Sequence, residues 1–140
     1  MTIQAIASGL YTKLAGSTTA GTVYALCSGR IYNGEGPQHT DPAATDMPMC
    51  IFTIISHDPD AQLFRARHID AEVQIDVYTD KALGRAAARS VSDALITGFD
   101  HTSVTISGYA GGQMDCINPG IVEPDGDALR VMTTWRVTAT

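Results

Sequence analysis

Between Arg67 and Thr79 the chain alternates without a break. Ile69, Ala71, Val73, Ile75 and Val77 are apolar, and His68, Asp70, Glu72, Gln74, Asp76 and Tyr78 between them are polar or amphipathic. Side chains on a strand point to opposite faces in turn, so a period of two predicts one long strand with a core face and a wet face. At about 3.3 Å per residue these positions would span roughly 43 Å, more than a usual strand. Such length in a small domain predicts that part of the strand projects past its own core, toward a partner.

The neighbouring segments carry other periods. Ile3, Ile6, Leu10 and Leu14 recur at helical spacing, predicting a helix from Thr2 to about Ala15 with Thr2 as its cap. Residues 22–27 fit either a short helical turn or a strand, and Arg30-Ile31-Tyr32 reads as extended. From Asn33 to Met47, Gly34, Gly36, Pro37, Asp41, Pro42 and Asp46 deny the chain either period, so a long loop is expected. Met49 to Ser56 is continuously apolar and β-branched, which predicts a central strand covered on both faces and paired antiparallel with the long strand.

After Thr79 the period switches to helix. Asp80 or Thr79 caps a segment from Lys81 to about Thr97, Gly98 supplies the stop, and Leu83, Ala87, Val91, Ala94 and Leu95 form the core stripe. Lys81, Arg85 and Arg89 fall on another face at four-residue steps, a like-charge spacing that mildly disfavours an isolated helix. Thr102 to Ser107 alternates as a strand, followed by a bend at Gly108, Gly111 and Gly112. The chain closes on a hairpin: Met114 to Glu123, a Pro124-Asp125-Gly126-Asp127 turn, then Ala128 to Thr138. This order predicts a single α+β domain over residues 1–140, a mainly antiparallel sheet with a long hairpin and two helices on one face.

Composition narrows the function classes. Nine basic against fifteen acidic residues give a net charge of −6, which argues against specific nucleic-acid binding and against an anionic membrane surface. No apolar run approaches the roughly 20 residues of a membrane helix. No secretory signal is visible at the start of the chain, and synthesis in a cytoplasm is expected. Cys27, Cys50 and Cys116 are odd in number and far apart, so free, packed thiols are expected rather than disulfides or zinc ligands.

Candidate chemistry is sparse. His57, Asp58 and Asp60, with His68 near across the hairpin, have ligand-type side chains, but a metal site needs three or four that converge. An Asp-Pro-Asp turn is equally explained by turn chemistry. Cys50 lies in the most apolar strand, where a thiol packs as a small hydrophobe rather than acting as a nucleophile. Gly108-Tyr109-Ala110-Gly111-Gly112 lacks the lysine of a phosphate-binding loop. No catalytic residue, metal or cofactor is therefore assigned. The residues with a sharper reading are Asp70, Glu72 and Asp76 on the wet face and Arg85 and Arg89 on the helix. As contact residues they would meet a neighbouring subunit, or the acids would line a channel in which a polyanion slides without sticking.

Taken together, the segments resemble the tail terminator (tail completion) proteins of long-tailed bacteriophages and gene transfer agents. The resemblance rests on an N-terminal amphipathic helix ending in Ala25-Leu26-Cys27-Ser28-Gly29-Arg30-Ile31-Tyr32. A Pro-led apolar strand (Pro48-Met49-Cys50-Ile51-Phe52-Thr53-Ile54) follows, then Val73-Gln74-Ile75-Asp76-Val77-Tyr78 running straight into an Ala-rich helix. The closing strand reads Arg130-Val131-Met132-Thr133-Thr134-Trp135-Arg136-Val137. The resemblance implies a non-enzymatic virion protein that forms a homo-hexameric ring, caps the tail tube protein and joins the tail to the head–tail connector or stopper. DNA would pass through the ring without specific binding, and assembly would take place in the bacterial host cytoplasm. The alternatives are another neck component, a stopper or connector, or a small metal-dependent hydrolase using His57, Asp58 and Asp60.

Overall fold

A computed structural model describes residues 2–16, 22–34, 47–57 and 68–140. In chain order these form α1 (Thr2–Ala15), α2 (Val23–Leu26), β1 (Ile31–Asn33), β2 (Met49–His57) and β3 (Ile69–Asp80). A 3-10 turn (Lys81–Leu83) leads into α3 (Gly84–Phe99), and β4 (Thr102–Ser103), β5 (Gly112–Asn118), β6 (Val122–Asp125) and β7 (Ala128–Ala139) follow. The protein is α+β: one sheet in the order β1-β2-β3-β7-β5-β4, with β6 also on β7, antiparallel except where β1 meets β2. None of the described helices is long and apolar enough to cross a membrane.

The long strand is where its alternation puts it. Ile69, Ala71, Val73, Ile75 and Val77 are essentially inaccessible, while Asp70, Glu72, Gln74 and Tyr78 face the other way and keep some or full exposure. The strand does not project, however. All twelve of its residues pair with the twelve of β7, and Ile69 and Thr79 near its two ends are both fully buried. Its length is absorbed by an equally long partner strand, whose own core face is Leu129, Val131, Thr133, Trp135, Val137 and Ala139. Arg67 and most of the expected 33–47 loop lie outside the described residues.

Both long helices pack on that core face. α1 contributes Ile6, Leu10 and Leu14, and α3 contributes Ala88, Val91, Ser92, Leu95 and Phe99. α3 lies across β3 and β7, whereas α1 touches β1 and β2 at one edge of the sheet. α1 also reaches the opposite edge, where the Lys13 ammonium donates to the Ser103 carbonyl at 2.5 Å and lies 5.4 Å from the Phe99 ring centroid. A flat sheet would hold these edges about 24 Å apart, five strand spacings. The sheet therefore curls, and α1 spans its two edges. Contact is closest at Gly9, where an added Cβ would lie 2.3 Å from the Thr105 carbonyl oxygen. Gly9→Ala would ordinarily help a helix. Here it is expected to cost about 2 kcal/mol by prising α1 off that edge. A urea midpoint equal to or above wild type would show that the edges are held some other way.

Several local expectations need correction. β2 is covered on both faces only at its Met49 end, since Thr53 is exposed and Ile55 is 51% exposed. Gly98 does not stop α3: the helix runs through it to Phe99 and ends where Asp100 turns extended and His101 adopts a positive φ of 57°. Asp80 does cap, accepting the Ala82 N–H at 3.0 Å, but it caps the 3-10 turn. That turn shifts the register of the following helix, so Leu83 is 62% exposed, Ala87 and Ala94 are half-buried, and Ala88 and Ser92 take core positions. The ambiguous segment at 22–27 contains the short helix α2, a third helix. Only Thr102–Ser103 of the expected 102–107 strand pairs, although Val104 and Ile106 are buried as alternation required. The closing hairpin has a two-residue loop, Gly126-Asp127, because Asp125 already pairs with Ala128. Its first arm is two strands, β5 and β6, laid end to end along β7.

Candidate functional site

The face of the sheet away from the long helices carries the charged side chains of β3, β7 and β5. Cross-strand register sets their order. Glu72 lies opposite Arg136, which lies opposite Asp115, while Asp76 lies between Ile51 and Met132. The expected acidic wet face is therefore interleaved with arginine. Arg136 donates from Nε and Nη2 to the two oxygens of Asp70, at 2.9 and 2.5 Å. This fork holds the Asp70 carboxyl below the usual carboxylate range. A depressed folded-state pKa contributes stability that is present above the unfolded value and lost as pH falls through the folded one. Asp70→Asn is thus expected to lower the melting temperature at pH 7. The gap to wild type should close on acidification below the ordinary 3.8, and a gap constant from pH 7 to pH 2 would contradict this.

Asp76 differs from its neighbours on the strand. It is buried at 6% exposure despite facing away from the helices. Its oxygens accept from Gln74 Nε2 at 3.1 and 2.9 Å, and Oδ2 accepts from Arg130 Nη2 at 3.0 Å. The Arg130 guanidinium also lies 5.9 Å from the Tyr78 ring centroid. Asp76 is thus a structural anion, enclosed by its own sheet. Glu72 is the free acid of the strand, exposed and without a bonded cation among the described residues.

On α3, Arg85 is exposed and donates from Nη1 to the Val122 carbonyl at 2.8 Å, tying the helix to β6. Arg89 is half-buried one turn further on, and makes no hydrogen bond or ion pair among the described residues. Both line a depression of about 500 Å³ that they share with Ala86, Ile121 and Val122. The five residues singled out by sequence consequently fall in three settings: Asp70 and Asp76 are spent on arginines, Glu72 is free on the open face, and Arg85 and Arg89 flank the β5–β6 corner.

The hairpin expected from sequence runs one strand through that corner, past Pro119-Gly120. A bulge between Cys116 and Asn118 leaves Ile117 56% exposed, and Ile121 beyond it is 67% exposed. Gly120 fixes the path between them: its φ is 72°, a Cβ there would lie 2.0 Å from the Met132 carbonyl oxygen, and its N–H bonds to Asn118 Oδ1 at 2.9 Å. A second bulge, between Ile54 and Ser56 of β2, leaves Ile55 exposed beside Glu72. Bulges re-aim side chains, and here each presents an isoleucine to solvent.

Ligand-type side chains meet once among the described residues, where Asp100, His101 and Asp115 bring donor atoms within 4.8 Å. One oxygen of each carboxylate already holds a protein donor. Asp100 Oδ1 accepts the Cys116 N–H at 2.8 Å, and Asp115 Oδ1 takes Gln113 Nε2 at 2.9 Å and contacts His101 Nδ1 at 2.6 Å. The cluster fastens the end of α3 to β5, and its bonds to Gln113 and His101 hold the Asp115 carboxyl low. Asp58, Asp60 and the side chain of His57 lie outside the described residues, and His68 is exposed. The cysteines are free thiols. Burial pushes Cys27 up to about 12 and Cys50 well above its ordinary value, so both stay protonated at neutral pH and are poor nucleophiles.

No family model and no curated protein matches the chain. Among solved structures, a chain from the virion of a native gene transfer agent particle superposes with a TM-score of 0.67 at 16% identity. The match covers 99% of this chain and 96% of that one. A second solved chain gives a TM-score of 0.67 at 15% identity, covering 100% of this chain and 96% of its own. At these identities the likeness is one of fold. The chain shares, from end to end, the fold of a protein found in a gene transfer agent virion.

Proposed function

We propose that the protein is a structural component of a phage-like particle, acting by assembly and not by catalysis, as a ring that terminates the tail tube and joins the tail to the head connector. The observation that supports this best is the end-to-end fold likeness to a chain of a gene transfer agent virion. The surface is consistent with such a role. Ile55, Ile117 and Ile121 are exposed at or beside irregular strand positions, with Ile3 and Leu83 exposed elsewhere, and Ile117 and Ile121 lie close together in sequence, as a contact patch requires. The ring would be a homo-hexamer, contacting the tail tube protein below and a connector or stopper above, with DNA passing through unbound. Glu72, Arg85 and Arg89 serve contacts between copies, while Asp70 and Asp76 hold the contact surface in shape through Arg136 and Arg130. Localising the protein in purified particles by cryo-electron microscopy tests the role. Density at the head-proximal end of the tail tube is expected, and density in the capsid shell, the tube wall or the tail tip would overturn the assignment.

A further inference from the structure

We infer that adjacent copies meet head to tail, with the β5–β6 corner of one (Ile117 and Ile121, backed by Arg85 and Arg89) seated on the β2–β3 edge of the next at Ile55 and Glu72. This rests on the ring reading above. A closed ring is built from a heterologous contact, in which two different patches of one chain meet. This chain presents two such patches with opposite character. On one, Ile117 and Ile121 stand 56% and 67% exposed, and Ile121 shares one depression with Arg85 and Arg89 and another with Glu123, so two cations face one acid there. On the other, Ile55 stands 51% exposed at a bulge whose following residue, Ser56, pairs with Glu72.

Charge selects the pairing. The chain carries −6, so copies repel at long range and a specific contact must set opposite signs together. Arg85 spends one N–H on Val122 and keeps its other donors, Arg89 is uncommitted among the described residues, and Glu72 has no cation of its own. Asp70, Asp76 and Asp115 on the open face are already bonded, while Glu123 and Asp125 of β6 are exposed acids without a bonded cation among the described residues. Within one molecule β3 and β7 lie between the two patches, three strand spacings or about 14 Å measured along the sheet. Each takes its complement from another copy.

The contact is tested in a Cys116→Ser background, which removes the half-buried native thiol beside Ile117, by placing Ile55→Cys and Ile121→Cys in the same chain and oxidising it with copper–phenanthroline in air, alongside each single variant. A disulfide needs Cα atoms within about 7 Å, so a link between these positions joins different copies. The double variant is expected to give a ladder of linked copies, and both single variants to stay unlinked. Arg89→Glu or Glu72→Arg, each added to the double-cysteine chain, should cut linking about tenfold, and mixing the two should restore it, because opposite charges then face each other again. Single variants linking into dimers would overturn the inference by showing a self-complementary contact. An unlinked double variant that still forms rings in negative stain would overturn this contact and leave the ring reading standing. Monomers throughout, with no linking, would overturn both. Failure of the mixture to recover would remove the assigned charge pairing.

Discussion

Trp135→Ala is expected to lower the unfolding free energy by about 4 kcal/mol, within the range for removing a large aromatic from a core. Trp135 is the largest fully buried side chain, seated in β7 between Val73 of β3 and Cys116 of β5. Its indole N–H donates to Thr133 Oγ1 at 2.8 Å, and that hydroxyl donates to the Ile75 carbonyl at 2.6 Å. The substitution opens a cavity where three strands and the helix layer meet, and leaves the Thr133 oxygen without its donor. Trp135→Phe keeps most of the apolar volume and is expected to cost about half as much. Urea denaturation measures both. A loss below about 1 kcal/mol for Trp135→Ala would mean that β7 is not the centre of the core.

Asp76→Ala is expected to cost about 2–3 kcal/mol, less than a fully buried pair because the Arg130 side chain keeps 28% exposure. The loss has two parts: Arg130 keeps a charge in a largely enclosed site, where its Nε already has no partner, and the Gln74 amide loses its acceptor. Replacing both members, as Asp76→Leu with Arg130→Met, is expected to recover most of the stability, because no stranded charge remains. A double variant as unstable as Asp76→Ala would show that the cost lies in packing and not in the broken ion pair.

Asp76 also shows where sequence reading runs out. Alternation places it on the wet face, and it is on that face. Its burial comes from Gln74, Met132, Ile51 and Arg130, residues on its own and neighbouring strands whose register no single-strand pattern encodes. The same limit hid the pairing of Asp70 with Arg136, which are far apart in sequence but nearly opposite in the β3–β7 ladder. Legible features were the strongly periodic ones: α1, the core face of β3, the β2–β3 pairing and the alternating closing strand. Length was misread because β7 matches β3 residue for residue, so what looked like a projecting strand is a fully paired one. α3 was displaced by a 3-10 turn that helical periodicity does not signal, and this turned Leu83 outward. The two bulges were invisible for a similar reason. An extra residue in a strand is defined only against its partner, so Ile55 and Ile117 read as ordinary apolar positions. The Pro119-Gly120 dipeptide was the available signal for the corner, as a turn inside a supposed strand.

On the proposed ring, this chain works by assembling with itself, and its mass in solution reports that. Light scattering across rising protein concentration is expected to reach a closed species of about six times the 14.8 kDa chain, with a ring outline in negative stain. A monomer that persists at every concentration, including millimolar, would contradict the proposed ring.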